Sequence, residues 1–254
     1  MRTPALASLA GYAVDNEWTN DYEGSSVRRM TRNAGPTLYV KTAPSLRREH
    51  QRLQWCQGRV PAPTIIEFAE DASDTLVTAA APGIAASERS LLPDTAMVVD
   101  AVARGLRLLH GLPAEECPFD TSTDVLLAAA EASLHAQYEV WDEAAQRMRP
   151  ARHVFDELVA TRPATTSAVV LHGDASLPNF LISDGEVTGL VDLGALGVGD
   201  RWWDLATGLK SIQRPGNAIA HERDRFLQTY GVTDDPTRER WFRLLYGMDT
   251  RLPI

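Results

Sequence analysis

Leu171-His-Gly-Asp-Ala-Ser-Leu-Pro-Asn179, continuing as Phe180-Leu-Ile-Ser-Asp-Gly-Glu-Val-Thr-Gly-Leu-Val-Asp192, decides how this chain is read. It places three oxygen-bearing side chains at fixed intervals: Asp174, Asn179 five residues later, and Asp192 eighteen past Asp174. Two strand-forming runs, Phe180 to Ile182 and Val187 to Val191, flank Asp184-Gly185, a pair suited to a two-residue hairpin turn with positive φ at both positions. Such a turn folds residue 192 back beside 174 and 179. Two acids and an amide around one point supply hard oxygen ligands for Mg2+, which takes few protein ligands and leaves the rest to water and phosphates. One acid must stay off the metal to orient an attacking hydroxyl. Asp174 is assigned that role, because Asn179 and Asp192 already provide the oxygens a metal needs. The spacing points to phosphoryl transfer.

Outward from the hairpin, the chain divides by pattern. The first ~80 residues read as β-rich: Leu38-Tyr39-Val40 is a strand signal, and Thr64 to Phe68 and Thr75 to Thr78 are two more. Leu46 to Cys56 favours a helix that Pro61-Ala62-Pro63 stops. Ala81-Pro82-Gly83 then breaks the pattern, giving an expected nucleotide-binding unit at 1–82 and a catalytic and substrate-binding unit at 83–254. In the second unit Val98, Val102, Leu106 and Leu109 line one helical face. Leu127, Leu134, Tyr138 and Trp141 are read as a second helix. Ile219, Phe226, Leu227 and Tyr230 mark another, stopped by Gly231. The last begins at Asp235-Pro236 and carries Trp241, Leu244, Leu245 and Met248. The expected fold is α+β: a small β-rich lobe on a larger, mainly α-helical lobe, with the polar cluster on a β-hairpin at their junction.

Composition narrows the function. The net charge of −9 has no compensating basic stretch and argues against nucleic acid; it suits a cationic small molecule. No run approaches the ~20 apolar residues of a membrane helix. Ala5 to Ala13 is interrupted by Gly11 and poor in Leu, Ile and Val, so it is not read as a signal peptide, and the expected location is cytoplasmic. Cys56 and Cys117 are expected as buried thiols. Of 25 basic residues only Lys41 and Lys210 are lysines, and a lysine in so arginine-rich a chain marks a place where a compact point charge is wanted. No Gly-x4-Gly-Lys-Ser/Thr run is present, which excludes a P-loop kinase.

The 171–192 stretch, with Gly189-Leu-Val-Asp-Leu-Gly194 and Asp200-Arg-Trp-Trp-Asp-Leu-Ala206, resembles the catalytic core of aminoglycoside phosphotransferases, and most closely the 3′-phosphotransferases, which share the protein-kinase fold and its Asp-x4-Asn spacing. Leu38-Tyr-Val-Lys41, Pro82-Gly83, Leu109-His110 and Cys117-Pro-Phe-Asp120 resemble further landmarks in the same order. The resemblance implies a two-lobed, protein-kinase-like fold and a Mg2+-dependent transfer of the γ-phosphate of ATP or GTP to an aminoglycoside hydroxyl, with antibiotic resistance as the result. It makes Asp174 catalytic and Asn179 and Asp192 magnesium ligands, and it sets Lys41 on the α- and β-phosphates with Glu49 as its partner. Glu23-Gly24-Ser25-Ser26 would cover the phosphates, and the backbone around Ala80, within Ala79 to Ala81, would meet the purine. Asp142 and Glu143 resemble the acidic substrate loop. Asp200, Asp204 and His172 are read as braces for the loops.

The chain departs from the family on the acceptor side. Ser211 and Arg214 stand where acids are common. The family's Leu-Leu-Asp-Glu-Phe-Phe ending is replaced after Leu244-Leu245 by Tyr246-Gly-Met-Asp249, leaving Asp249 as the candidate substitute acid. Another small hydroxyl compound as acceptor, or a catalytically silent ligand-binding relative, are the alternative readings. ATP against GTP, the hydroxyl modified, and monomer against homodimer are left open by the sequence.

Overall fold

The computed structural model describes residues 6–20, 24–165, 167–214 and 219–248. An antiparallel sheet opens the chain: β1 (Ala13–Asn20), β2 (Ser25–Thr31), β3 (Leu38–Ala43), then, after helix α1 (Arg47–Cys56), β4 (Ile65–Ala69) and β5 (Asp74–Ala79). The strand order is β1-β2-β3-β5-β4. Alternation gives the sheet two different faces. Met30, Leu38, Val40 and Val77 are buried on one, packed against Leu6, Leu9 and Tyr12. Trp18, Val27 and Lys41 lie in register across β1, β2 and β3, with Leu76 next on β5. That face is the one turned towards the polar cluster.

The rest is mainly helical. A two-residue strand β6 (Ile84–Ala85) leads to α2 (Thr95–His110), whose cap Asp94 accepts the Met97 N–H at 2.9 Å. Val98, Val102, Leu106 and Leu109 are buried along it. Next come α3 (Thr123–Ser133), the hairpin β7 (Glu139–Asp142) and β8 (Arg147–Pro150), and α4 (Ala151–Ala160). Strands β9 (Ala168–Leu171), β10 (Phe180–Ser183), β11 (Glu186–Leu190) and β12 (Gly197–Asp200) carry the motif region. Helices α5 (Trp202–Ile212), α6 (Arg223–Tyr230) and α7 (Pro236–Gly247) follow. Asp235 caps α7 by accepting the Arg238 N–H at 2.9 Å, and Gly231 ends α6 at φ +86°.

The hairpin predicted at 180–191 is present. Asp184 and Gly185 have φ +52° and +76°, the conformation that turn demands. β10 also pairs with β6, which ties the hairpin to the chain just beyond Pro82. Cys56 and Cys117 are both free and buried. Among the described residues no helix is long and apolar enough to cross a membrane.

Two elements differ from expectation. The helix read through Leu127, Leu134, Tyr138 and Trp141 stops at Ser133. Gln137 takes φ +49°, a left-handed conformation that no α-helix continues through. Beyond it the period is two: Val140 is buried and Trp141 is half exposed. β1 gave no clear strand signal, because it is exposed along its whole length and no core-facing alternation is imposed on it; β2 buries Ser26, Arg28 and Met30 in alternation, but two of those three are polar and hide the period.

Candidate active site

The loop at 172–174 is pinned from below. Asp204, fully buried on α5, accepts the His172 N–H at 2.6 Å and the Gly173 N–H at 2.9 Å. Its Oδ2 also meets His110 Nε2 at 3.0 Å, and His110 Nδ1 meets the Tyr230 hydroxyl at 2.7 Å. Trp203 Nε1 donates to the Gly173 carbonyl at 2.7 Å. Gly173 sits at φ +88°, and a Cβ there would fall 2.3 Å from the Ala195 carbonyl oxygen. Glycine alone lets the loop take this shape and lets the 193–195 turn approach it. Asp200 accepts the Trp202 N–H at 3.0 Å and Arg238 Nη1 at 3.3 Å. Ser211 Oγ accepts the Leu177 N–H at 3.0 Å.

These braces present Asp174 with a donor on each oxygen. Asn179 Nδ2 donates to Oδ2 at 3.0 Å and to the Asp174 backbone carbonyl at 2.9 Å. Tyr246, on α7, donates its hydroxyl to Oδ1 at 3.1 Å. Burial and the neighbouring Asp174 carboxylate push the Tyr246 phenol above its usual range, so it remains a donor. The asparagine amide nitrogen is committed to the loop, to the Asp174 carbonyl and carboxylate and to Ser176 Oγ. Tyr246 was not foreseen: it lies 72 residues from Asp174, at a position where the sequence signalled only a lost acid.

Asp192 lies across from this loop with φ +59°. Lys41 Nζ donates to its Oδ1 at 2.9 Å and to Glu49 Oε2 at 2.7 Å. Burial alone would lower the Lys41 pKa, but Glu49 and Asp192 outweigh it and hold the ammonium above the ordinary lysine value. Partial desolvation opposes ionisation of Asp192, whose side chain is half exposed, and the charge of Lys41 overrides it and lowers the carboxyl pKa. Glu49, eight residues on in the chain, is thus the partner of Lys41 that the resemblance implied. Arg52, one turn further along α1, donates to the Leu196 carbonyl at 2.7 Å and lies over the Phe119 ring at 4.6 Å. α1 thus grips both Lys41 and the turn after Asp192.

The remaining sequence-derived positions divide. Tyr39 shares the Lys41 face of β3 and stacks with Trp18, ring centroids 6.5 Å apart; strand alternation from Lys41 is the signal that finds it. Gly24 turns at φ +62°, and Ser25 follows on the Lys41 face; Glu23 lies outside the described residues. Ser26 departs from expectation. It opposes Thr42 in the register, is buried, and belongs to the face away from Lys41, so its hydroxyl does not line the cleft. The Ala80 N–H donates to the Thr37 carbonyl at 2.9 Å, which commits the amide side of the expected hinge inside the protein. Asp142 also departs. Its side chain is 1 % exposed, taking Arg149 at 2.8 Å, Arg240 at 3.1 Å and the N–H groups of Ala144 and Ala145. That carboxylate is a brace for its hairpin rather than an open acid. Glu143 stays partly exposed, paired to Arg243 at 2.5 Å. Asp249 lies outside the described residues. A cavity of ≈ 340 Å³ opens between the β7–β8 hairpin, Lys210 of α5 and the Glu239 to Leu244 face of α7.

Residues 19–242 match the family model of the phosphotransferase enzyme family. An aminoglycoside 3′-phosphotransferase of Streptomyces fradiae is 34 % identical over 241 residues, spanning 85 % of this chain and 89 % of the relative. A streptomycin 3″-kinase of Streptomyces griseus is 33 % identical over 263 residues, spanning 94 % of each chain. Among solved structures, an aminoglycoside 3′-phosphotransferase of type VIII superposes with TM-score 0.78 at 29 % identity, covering 93 % of this chain and 92 % of the other. The phosphotransferase APH(3″)-Id of Streptomyces rimosus, solved with ADP and streptomycin, gives TM-score 0.76 at 26 % identity, covering 95 % and 93 %.

Proposed function

Because the chain belongs to the phosphotransferase enzyme family, we propose that it moves the γ-phosphate of ATP or GTP to a hydroxyl of an aminoglycoside antibiotic and so inactivates the drug. The observation that carries this reading is the convergence of Asp174, Asn179, Asp192 and Lys41 from separate elements into one polar cleft. Residues 1–82 would hold the nucleotide and 83–254 the catalytic loop and the acceptor.

The chemistry follows from placement. Asp174, fixed on both oxygens, orients the acceptor hydroxyl and takes its proton as the oxygen attacks the γ-phosphorus. Lys41, held on the sheet by Glu49, offers a point charge to the α- and β-phosphates. The base would lie against the Tyr39 and Trp18 face. Asn179 Oδ1 and the Asp192 carboxylate are both hard oxygen donors, and the half-exposed Asp192 leaves room for water, which fits Mg2+. When bound, the ion would neutralise charge on the phosphates.

The relatives act, by name, at both 3′ and 3″ positions with near-equal identity, so the proposal is the acceptor class; phosphorus-coupled NMR of the product assigns the hydroxyl. Asp174→Ala is expected to lower the turnover of labelled ATP with aminoglycoside at least ~100-fold, the low end for a lost general base, while nucleotide still binds. Turnover near that of the parent would overturn the mechanism.

A further inference from the structure

The acceptor cavity is wired in a way that the proposed chemistry does not explain. Its described lining carries four cations, Lys210, Arg223, Arg240 and Arg243, against three carboxylates, Asp142, Glu143 and Glu239; Arg223 and Arg240 are also paired outside it, with Asp234 and Glu157. Each carboxylate already holds an arginine. Asp142 has Arg149 and Arg240. Glu239 has Arg223 at 2.6 Å and Arg243 at 2.7 Å. Glu143 has Arg243 at 2.5 Å. Arg243 is the member shared between two acids, and it also reaches the Gln213 side chain. It stands on α7 three residues before Tyr246, whose hydroxyl touches Asp174. Lys210 Nζ lies 4.9 Å from the same tyrosine ring. The cavity therefore adjoins the reacting centre through Tyr246, with Asp174 on one side of that residue and the cavity cations Lys210 and Arg243 on the other.

A polyamine acceptor entering here would need carboxylates for its ammonium groups and would meet guanidinium groups already seated on them. Displacing Arg243 strands its charge in a partly buried place, and leaving it sets like charges together. We propose that Arg243 sets acceptor specificity: by occupying Glu143 and Glu239 it makes the cavity favour aminoglycosides of low positive charge over polyamine ones. This rests on the aminoglycoside reading above and narrows it. The fold tolerates loss of Arg243 on this account, because Glu239 keeps Arg223 while Glu143, 38 % exposed, is released to solvent and ligand.

Calorimetric binding to the full chain in the presence of ADP tests it, with neomycin as the more highly charged probe and streptomycin as the less charged one. The parent is expected to bind streptomycin more tightly than neomycin. Arg243→Gln should tighten neomycin at least ~10-fold, the scale of one charge-assisted hydrogen bond recovered, and streptomycin by less. Gln213→Glu, which adds a carboxylate beside the Arg243 guanidinium without removing any partner, should shift the neomycin-to-streptomycin ratio in the same direction. It keeps the test decisive if the first variant folds poorly. Tighter neomycin binding by the parent, or a ratio that neither substitution moves, overturns the role of Arg243. Phosphate transfer from labelled ATP judges the underlying reading separately. Transfer to streptomycin alongside an unmoved ratio defeats the specificity proposal alone, whereas no transfer to any aminoglycoside defeats both.

Discussion

At the scale of single residues, the site depends on backbone conformations as much as on side-chain chemistry. Gly173 and Asp192 both sit at positive φ, and they face each other through the 193–195 turn. Gly173→Ala places a methyl group 2.3 Å from a backbone oxygen and 2.5 Å from its carbon, atoms that cannot swing aside as a flexible side chain would. Strain of this kind costs about 1–3 kcal/mol, and relieving it moves the Asp174 backbone away from Asn179. The variant should melt several degrees lower and lose most of its turnover; a fully active, equally stable protein would show that the loop needs no left-handed residue. Why Asp174, Asn179 and Asp192 were legible in the sequence also becomes clear at this scale. One local hairpin joins them, so spacing and turn chemistry suffice. Lys41 and Glu49 needed only one strand and the helix after it. Tyr246 and Arg243 reach the same region from α7, far along the chain, and no local pattern announces such a contact.

At the scale of elements, the β7–β8 hairpin is held by arginine pairing as well as by its buried Val140. Asp142 and Glu157 are clasped by Arg149 and Arg240, which ties the hairpin to α4 and α7. Burial works against the charge on Asp142, but the hydrogen bond from Arg149 and the attraction of both arginines lower its pKa below the ordinary carboxylate value. A depressed folded pKa means stability that is present above the unfolded value, ~3.9, and is lost as pH falls through the folded one. Asp142→Asn keeps acceptors for the Ala144 and Ala145 N–H groups but leaves two guanidinium groups short of a partner. Chemical denaturation at pH 7 should show a loss of roughly 2–3 kcal/mol, under the full cost of breaking a buried pair because Arg240 is partly exposed. Near pH 3 the difference between variant and parent should shrink; an equal gap at both pH values would mean the carboxylate charge is not what holds the hairpin. The same element was misread as helix. Leu127, Leu134, Tyr138 and Trp141 are spaced seven, four and three apart, which is helical spacing, and nothing in the residue type of Gln137 foretells its left-handed turn.

At the scale of the whole molecule, Lys41 is the link between the sheet and the catalytic region. It bonds Glu49 on α1 and Asp192 beyond β11 at once, while Arg52 on the same helix holds the Leu196 carbonyl. The general division into a sheet followed by helices was readable, because hydrophobic period changes from two to near four after Gly83. The outer strand β1 was not, since a strand exposed on both faces carries no burial pattern. A nucleotide bound beside Lys41 would join these parts through its phosphates, adding contacts that the unfolded chain lacks. At about 100 times its dissociation constant such a ligand adds about 2.7 kcal/mol, which for a chain of this size raises the melting midpoint by roughly 5–10 °C. Mg-ATP is therefore expected to stabilise the parent by that amount. Lys41→Met removes the phosphate charge and leaves Glu49 and Asp192 without their shared cation, so its shift with the same Mg-ATP should fall below ~2 °C. Asp174→Ala, which touches the acceptor and not the triphosphate, should keep the parent's shift. If Lys41→Met were stabilised as strongly as the parent, the triphosphate would be held elsewhere, and the bridge from Lys41 to Asp192 would be a strut of the fold rather than part of a nucleotide site.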